Sequence, residues 1–140
     1  MPVREQDPVK RAANFEEVCY GYDAEEALKE ASRCLNCKVP RCMGACPVHV
    51  NIPAFISHVA KGDFAGAAEG ISHDSSLPSV CGRVCPQECQ CEGSCVLGIK
   101  SEPVAIGKLE RFVGDWAIEH AGEGDAPAVE RNGHKVAVIG

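Results

Sequence analysis

Aromatic residues are scarce in this chain: they make up 5% of 140 residues, with one Trp, two Tyr and four Phe. That excludes a core built on large rings, and the apolar fraction of 45% is inflated by ten cysteines and many alanines. A chain of this length supports one domain that buries roughly 68–70% of its unfolded surface. With so few large hydrophobes, part of that interior is expected to be filled by something other than side chains. Long apolar runs are also missing, and nothing approaches the roughly 18 residues of a membrane span. The polar N-terminus "MPVREQDPVKRAANFEE" has no apolar h-region and no small-residue cleavage site, so it reads as no secretory signal. The net charge of −6, with no basic run interleaved with aromatics, excludes nucleic acid as the expected partner. The expected location is cytoplasmic, where thiols stay reduced and cysteines bind metal more readily than they pair as disulfides.

Alternating or β-branched runs are lacking as well before residue 134, so the fold is expected to be all-α, almost entirely helices and loops. Residues 1–15, with two prolines and mixed charge, read as an extended N-terminal arm. Asp23 and Glu26 form a capping-box pattern, and Ala24, Ala27, Leu28 and Ala31 recur at helical spacing, which predicts a helix delivering Cys34 at its end. Asn51 ahead of Pro53 caps a second helix carrying Phe55, Ile56 and Val59. Asp63 caps a third, with Phe64, Ala67, Ala68 and Ile71. From Pro103 the stripe Val104, Ile106, Leu109, Phe112, Val113, Trp116 and Ala117 predicts the longest helix, ending near Gly122. The helical domain is thus expected over 16–120, followed by a linker over 121–133. The terminal "HKVAVIG", residues 134–140, reads as a short strand opening a truncated nucleotide-binding domain, because it stops at the first glycine of a possible G-x-G-x-x-G turn.

What is abundant is cysteine, in two groups. The first is Cys34-x2-Cys37-x4-Cys42-x3-Cys46-Pro47; the second is Cys81-x3-Cys85-Pro86 followed by Cys89, Cys91 and Cys95. Two-cluster bacterial ferredoxins use C-x2-C-x2-C-x3-C-P, in which three cysteines hold one cluster and the one before proline holds the other. By that logic Cys46 turns away from Cys34, Cys37 and Cys42 toward a second cluster, and the later group completes both shells. Zinc is the competing reading, because a four-thiolate site suits it too. Only one C-x2-C pair is present, however, whereas both groups contain C-x3-C-P.

The segments "RCLNCKVPRCMGACPV", "CGRVCPQECQCEGSC" and "EPVAIGKLERFVGDW" resemble the N-terminal iron–sulfur domain of the NADPH-dependent glutamate synthase small (beta) subunit family. Similar domains begin dihydropyrimidine dehydrogenase and the large subunit of NADH-dependent ferredoxin:NADP oxidoreductase. The resemblance covers roughly residues 11–119 and implies an alpha-helical ferredoxin-like domain organised around two 4Fe-4S clusters. It assigns Cys34, Cys37, Cys42 and Cys95 to the first cluster, and Cys46, Cys85, Cys91 and Glu110 to the second. Cys19, Cys81 and Cys89 are then spare, although Cys89 stands where the family requires no cysteine and leaves the choice between Cys89 and Cys91 open. The resemblance further implies FAD and NADP(H) in a missing downstream domain, and an FMN-containing glutamate synthase large subunit as partner. Electrons would pass from NADPH through FAD and the clusters to that partner. The ferredoxin:NADP oxidoreductase, a free-standing ferredoxin-like carrier and a non-enzymatic zinc-binding interaction module remain the alternatives.

Seven bound thiolates and two cores of charge +2 would take the chain from −6 to about −9. Such charge calls for donors, and Arg33, Lys38, Arg41, Arg83, Lys100, Lys108 and Arg111 all lie beside ligand positions. His49, near Cys46, could influence the second cluster; His58, His73, His120 and His134 show no metal or nucleophile spacing. No catalytic residue is expected within these 140 residues.

Overall fold

Helices make up most of the regular secondary structure in the computed structural model, which describes residues 3–121 and 132–139. In chain order they are α1 (Pro8–Arg11), α2 (Ala24–Ala31), α3 (Arg41–Ala45), α4 (Ile52–Ala60), α5 (Phe64–Ser72), α6 (Pro78–Val84) and α7 (Ile106–His120). The caps follow the sequence. Asp23 and Glu26 form a reciprocal capping box on α2, Asn51 accepts from the Ala54 N–H, and Asp63 accepts from the Gly66 N–H at 2.9 Å. Each satisfies an N–H that the first helical turn would otherwise leave unpaired.

One expectation about the N-terminus needs correction. The arm is not simply extended, since Asp7 caps the single turn α1. The domain is almost entirely helical, as expected, with one small sheet among the described residues in which β1 (Arg4–Glu5) pairs antiparallel with β2 (Cys19–Gly21). These strands are too short to show alternation, and the ladder is reinforced by Gln6, 3% exposed, whose side chain donates to the Glu16 and Glu17 carbonyls. The expected strand at 134–139 forms no ladder among the described residues, and Val136, Val138 and Ile139 are exposed. A lone strand has no neighbour to satisfy its backbone groups. Gly140 and most of the expected linker, residues 122–131, lie outside the described residues.

The core is where α2, α4, α5 and α7 meet. Ala27 and Ala31 of α2, Phe55, Ile56 and Val59 of α4, Ile71 of α5 and Leu109 and Val113 of α7 are all essentially buried. Full burial of each larger side chain contributes about 1.5–3 kcal/mol relative to exposure. Phe64 meets Phe112 edge-on at 5.0 Å, which ties α5 to α7. Cys34, Cys42, Cys46 and Cys95 pack against this core and Cys91 belongs to it, so cysteines occupy places that large hydrophobes would otherwise take.

The helix α6 lies against α7 at unusually close range. A Cβ on Gly82 would come within 2.5 Å of the Arg111 backbone nitrogen, and one on Gly114 within 2.4 Å of the Ser79 nitrogen. Only glycine permits this approach, and it carries Cys81 and Cys85 to the face of α7 that holds Glu110.

Candidate metal centres

The first cysteine group starts where α2 ends. Cys34 donates its N–H to the Ala31 carbonyl at 3.0 Å, and Asn36, in the left-handed region at φ 47°, reverses the chain toward Cys37. Asparagine tolerates that conformation better than most residues. Cys42 follows on α3, while Cys95 arrives from the second group at the head of a 3₁₀ turn, Val96–Ile99. These four cysteines line one cavity of about 410 Å³, including its open mouth, backed by Ile52, Ile56, Val104 and Ile106. Burial pushes the Cys34 thiol up, and the neighbouring Cys37 and Cys95 add to it; Cys42 is raised by burial and by Cys95 and Cys34. The Asn36 and Met43 N–H groups donate to the Cys34 and Cys42 sulfurs, the polarity a bound thiolate needs.

The second set is brought together by longer-range packing. Cys46 ends α3 and Cys85 ends α6, each in an extended conformation before proline. Cys85 lies within electrostatic reach of Glu110 and Cys46, and so does Cys91. Burial, with Glu92 next in effect, pushes the Cys91 thiol up to about 12. Glu110 is pushed up to about 7 by burial alone, and it makes no hydrogen bond or ion pair with a described residue. A half-buried carboxyl facing thiols without a donor is what an absent cation would leave behind.

Of the remaining cysteines, Cys19 sits on β2, Cys81 hydrogen-bonds the Cys85 thiol, and Cys89 is exposed while Cys91 is buried. Three of the seven basic residues beside ligand positions have other partners. Arg33 pairs with Glu30 and donates to the Glu102 and Pro103 carbonyls. Arg83 bridges Glu17 at 2.8 Å and Asp115 at 2.8 Å, and Arg111 donates to the Cys19 carbonyl at 2.7 Å. The Arg83 hydrogen bond holds Glu17 below its ordinary range. Burial pulls Asp115 upward, but Arg83 and Ser79 hold it low overall. Arg41 differs: it lines the first cavity and has no ion-pair partner among the described residues. His49 donates its N–H to the Cys46 carbonyl at 3.0 Å, while His58 pairs with Asp63 and His120 stacks on Trp116.

Among the described residues no three His, Cys, Asp or Glu side chains converge tightly enough to hold a single metal ion. A tetrahedral zinc with bonds of about 2.3 Å would draw its sulfurs within roughly 4 Å of one another. A cluster offers a separate iron at each corner and suits thiols set farther apart. The two sets, one of four thiols and one of three thiols with a carboxyl, offer the soft donors that both iron–sulfur clusters and zinc take.

Two carboxylates, one buried and one half-buried, left no signal of their own in the sequence. Glu30, 0% exposed on α2, accepts from the Ala105 N–H at 3.0 Å, and Glu92 accepts from the Gly107 N–H at 2.9 Å. They cap α7 from outside, because Ala105 provides no side-chain cap. The signal that could have revealed this is a helix start with Pro103 but no Ser, Thr, Asp or Asn at its cap.

Comparison with known proteins shows the family to which the chain belongs. The family described as dihydropyrimidine dehydrogenase domain II, 4Fe-4S cluster, matches residues 11–122. The chain is 41% identical to a glutamate synthase [NADPH] small chain of Halomonas elongata, over 99% of this chain and 30% of that protein. The Escherichia coli glutamate synthase [NADPH] small chain is 41% identical over 95% of this chain and 28% of its own length. The Escherichia coli NAD-dependent dihydropyrimidine dehydrogenase subunit PreT is also 41% identical, over 81% of this chain and 27% of that protein. The chain thus spans under a third of the length of these relatives. No helix among the described residues is long and apolar enough to cross a membrane.

Proposed function

Because the chain belongs to the dihydropyrimidine dehydrogenase domain II 4Fe-4S family, we propose that it is the electron-transfer module of an NAD(P)H-dependent flavoprotein oxidoreductase. The observation that carries this reading is the gathering of Cys34, Cys37, Cys42 and Cys95 around one cavity, with Cys46, Cys85, Cys91 and Glu110 as a second set. The first set would hold one 4Fe-4S cluster and the second the other. Bound there, such clusters supply one-electron transfer at potentials set by net charge, hydrogen bonds to sulfur and exposure. The chain's own residues hold and tune them. Four thiolates from two distant segments fix the first site, Ile52 and Ile56 exclude water from its rear wall, and Arg41 at its mouth favours the reduced, more negative state. At the second site Glu110 supplies a harder oxygen ligand, whose bond to iron is less covalent than that of a thiolate.

The finer reading is the small subunit of an NADPH-dependent glutamate synthase. FAD and NADP(H) would occupy a downstream domain beginning near residue 134, and the FMN-containing large subunit would accept the electrons. The two glutamate synthase relatives support it by matching a larger share of this chain than PreT does. Anaerobic purification tests the core of the proposal: iron and acid-labile sulfide in equal amounts, with broad visible absorption, are expected. A colourless protein holding stoichiometric zinc would reject it. Co-purification with a glutamate synthase large chain, and NADPH-dependent glutamate formation by the pair, tests the finer reading.

A further inference from the structure

The helix α7 has a defect at its start that other parts of the chain repair. The first N–H groups of a helix lack internal partners and carry a partial positive charge. Here two carboxylates from elsewhere meet that end: Glu30 at the Ala105 N–H and Glu92 at the Gly107 N–H. Their places in the chain matter. Glu30 stands four residues before Cys34, and Glu92 directly follows Cys91. Glu92 also fixes the next ligand position, because its carbonyl accepts from the Cys95 N–H at 2.9 Å. Glu110 lies less than one turn beyond Gly107 on the same helix.

We propose that Glu92 is a positioning residue for the second cluster: its carboxylate, by accepting from Gly107, locks the first turn of α7, and with it Glu110, in register with Cys91. The inference rests on the reading of Cys91 and Glu110 as ligands of one cluster. Among the described residues no other hydrogen bond joins residues 91–95 to the first turn of α7, although the Gln87 side chain packs against Gly107, so this contact is the directional link between the thiol and the carboxyl. Glu30 secures the same helix end from the side of the first set, which leaves Glu92 as the selective link to the second.

The test compares Glu92→Ala, Glu92→Gln and wild type in the full chain, anaerobically reconstituted. Iron loss to a chelator is followed separately for each cluster by electron paramagnetic resonance, and Gly107 amide exchange is measured in the iron-free protein. In Glu92→Ala the second cluster is expected to lose iron at least about tenfold faster, as for lost supporting contacts at metal sites, with the first unchanged. Glu92→Gln keeps an acceptor oxygen and is expected to stay near wild type. In iron-free Glu92→Ala, Gly107 exchange should accelerate, which is readable even if reconstitution of that variant fails. Equal acceleration at both clusters would mean a merely structural role, and unchanged rates or a Glu92→Gln as labile as Glu92→Ala would equally overturn the proposal. A wild-type chain that takes up no iron, yet shows the Gly107 effect, would instead remove the cluster reading and leave the helix cap standing.

Discussion

The two cysteine sets differ in how far the chain must travel to build them. Three members of the first set fall within nine residues, Cys34 to Cys42, and only Cys95 is distant. The second set takes one residue each from the ends of α3 and α6, the Cys91 loop and α7. One site is therefore written mostly into a local loop and the other into helix packing. A local site tolerates changes in the helical frame, whereas a packed site inherits every error in it.

The largest effect should come from closing the gap that lets α6 approach α7. Gly82→Ala places a methyl 2.5 Å from the Arg111 backbone, so stability should fall by about 3 kcal/mol, the upper end for overpacking. Urea unfolding measures the loss, and iron analysis should show the second set emptied and the first retained. Equal loss from both sets would break the contrast between them. Next in size, Glu110→Ala should leave the first cluster intact and make the second lose iron to chelators at least about tenfold faster. Full retention of iron with unchanged spectra would remove Glu110 from the shell.

Smaller effects sharpen the contrast. Arg41 faces the first cavity and Arg83 is held by Glu17 and Asp115. Arg41→Gln should lower the reduction potential of the first site alone, because one positive charge no longer favours the reduced state. Arg83→Gln should cost about 1 kcal/mol of stability and shift neither potential. Redox titration of both variants decides this. The smallest effect is acid sensitivity. Glu17 and Asp115 are held below their ordinary carboxylate values, so their contribution is complete above those values and is lost as pH falls through the lowered ones. Stability should therefore decline below about pH 4.5, and Arg83→Gln should flatten the decline in acid unfolding curves.

The helices with caps of their own were legible. Asp23, Asn51 and Asp63 announce α2, α4 and α5, and the apolar stripe from Val104 to Trp116 announces α7. The gathering of Cys34, Cys37 and Cys42 was legible for the same local reason. Less legible was whatever depends on contacts across the fold. The spacing could not decide between Cys89 and Cys91, but their burial differs because only Cys91 turns into the core. Arg83 stood beside a ligand position and was counted among the possible donors to sulfur. Its partners Glu17 and Asp115 lie 66 and 32 residues away and leave no local trace. The β1–β2 pair escaped notice because two or three residues cannot display a period.

The exchange of cysteines between segments has a consequence for biosynthesis. Until the ribosome has added Cys95 the first cavity lacks one of its four thiol walls, and Cys46 waits for Cys85, Cys91 and finally Glu110. A nascent chain therefore presents exposed thiols for some fifty residues of elongation. On the proposed ligand sets, the first site is complete only once Cys95 has been added and the second only once Glu110 has, which would make cluster loading a late event in the life of each molecule.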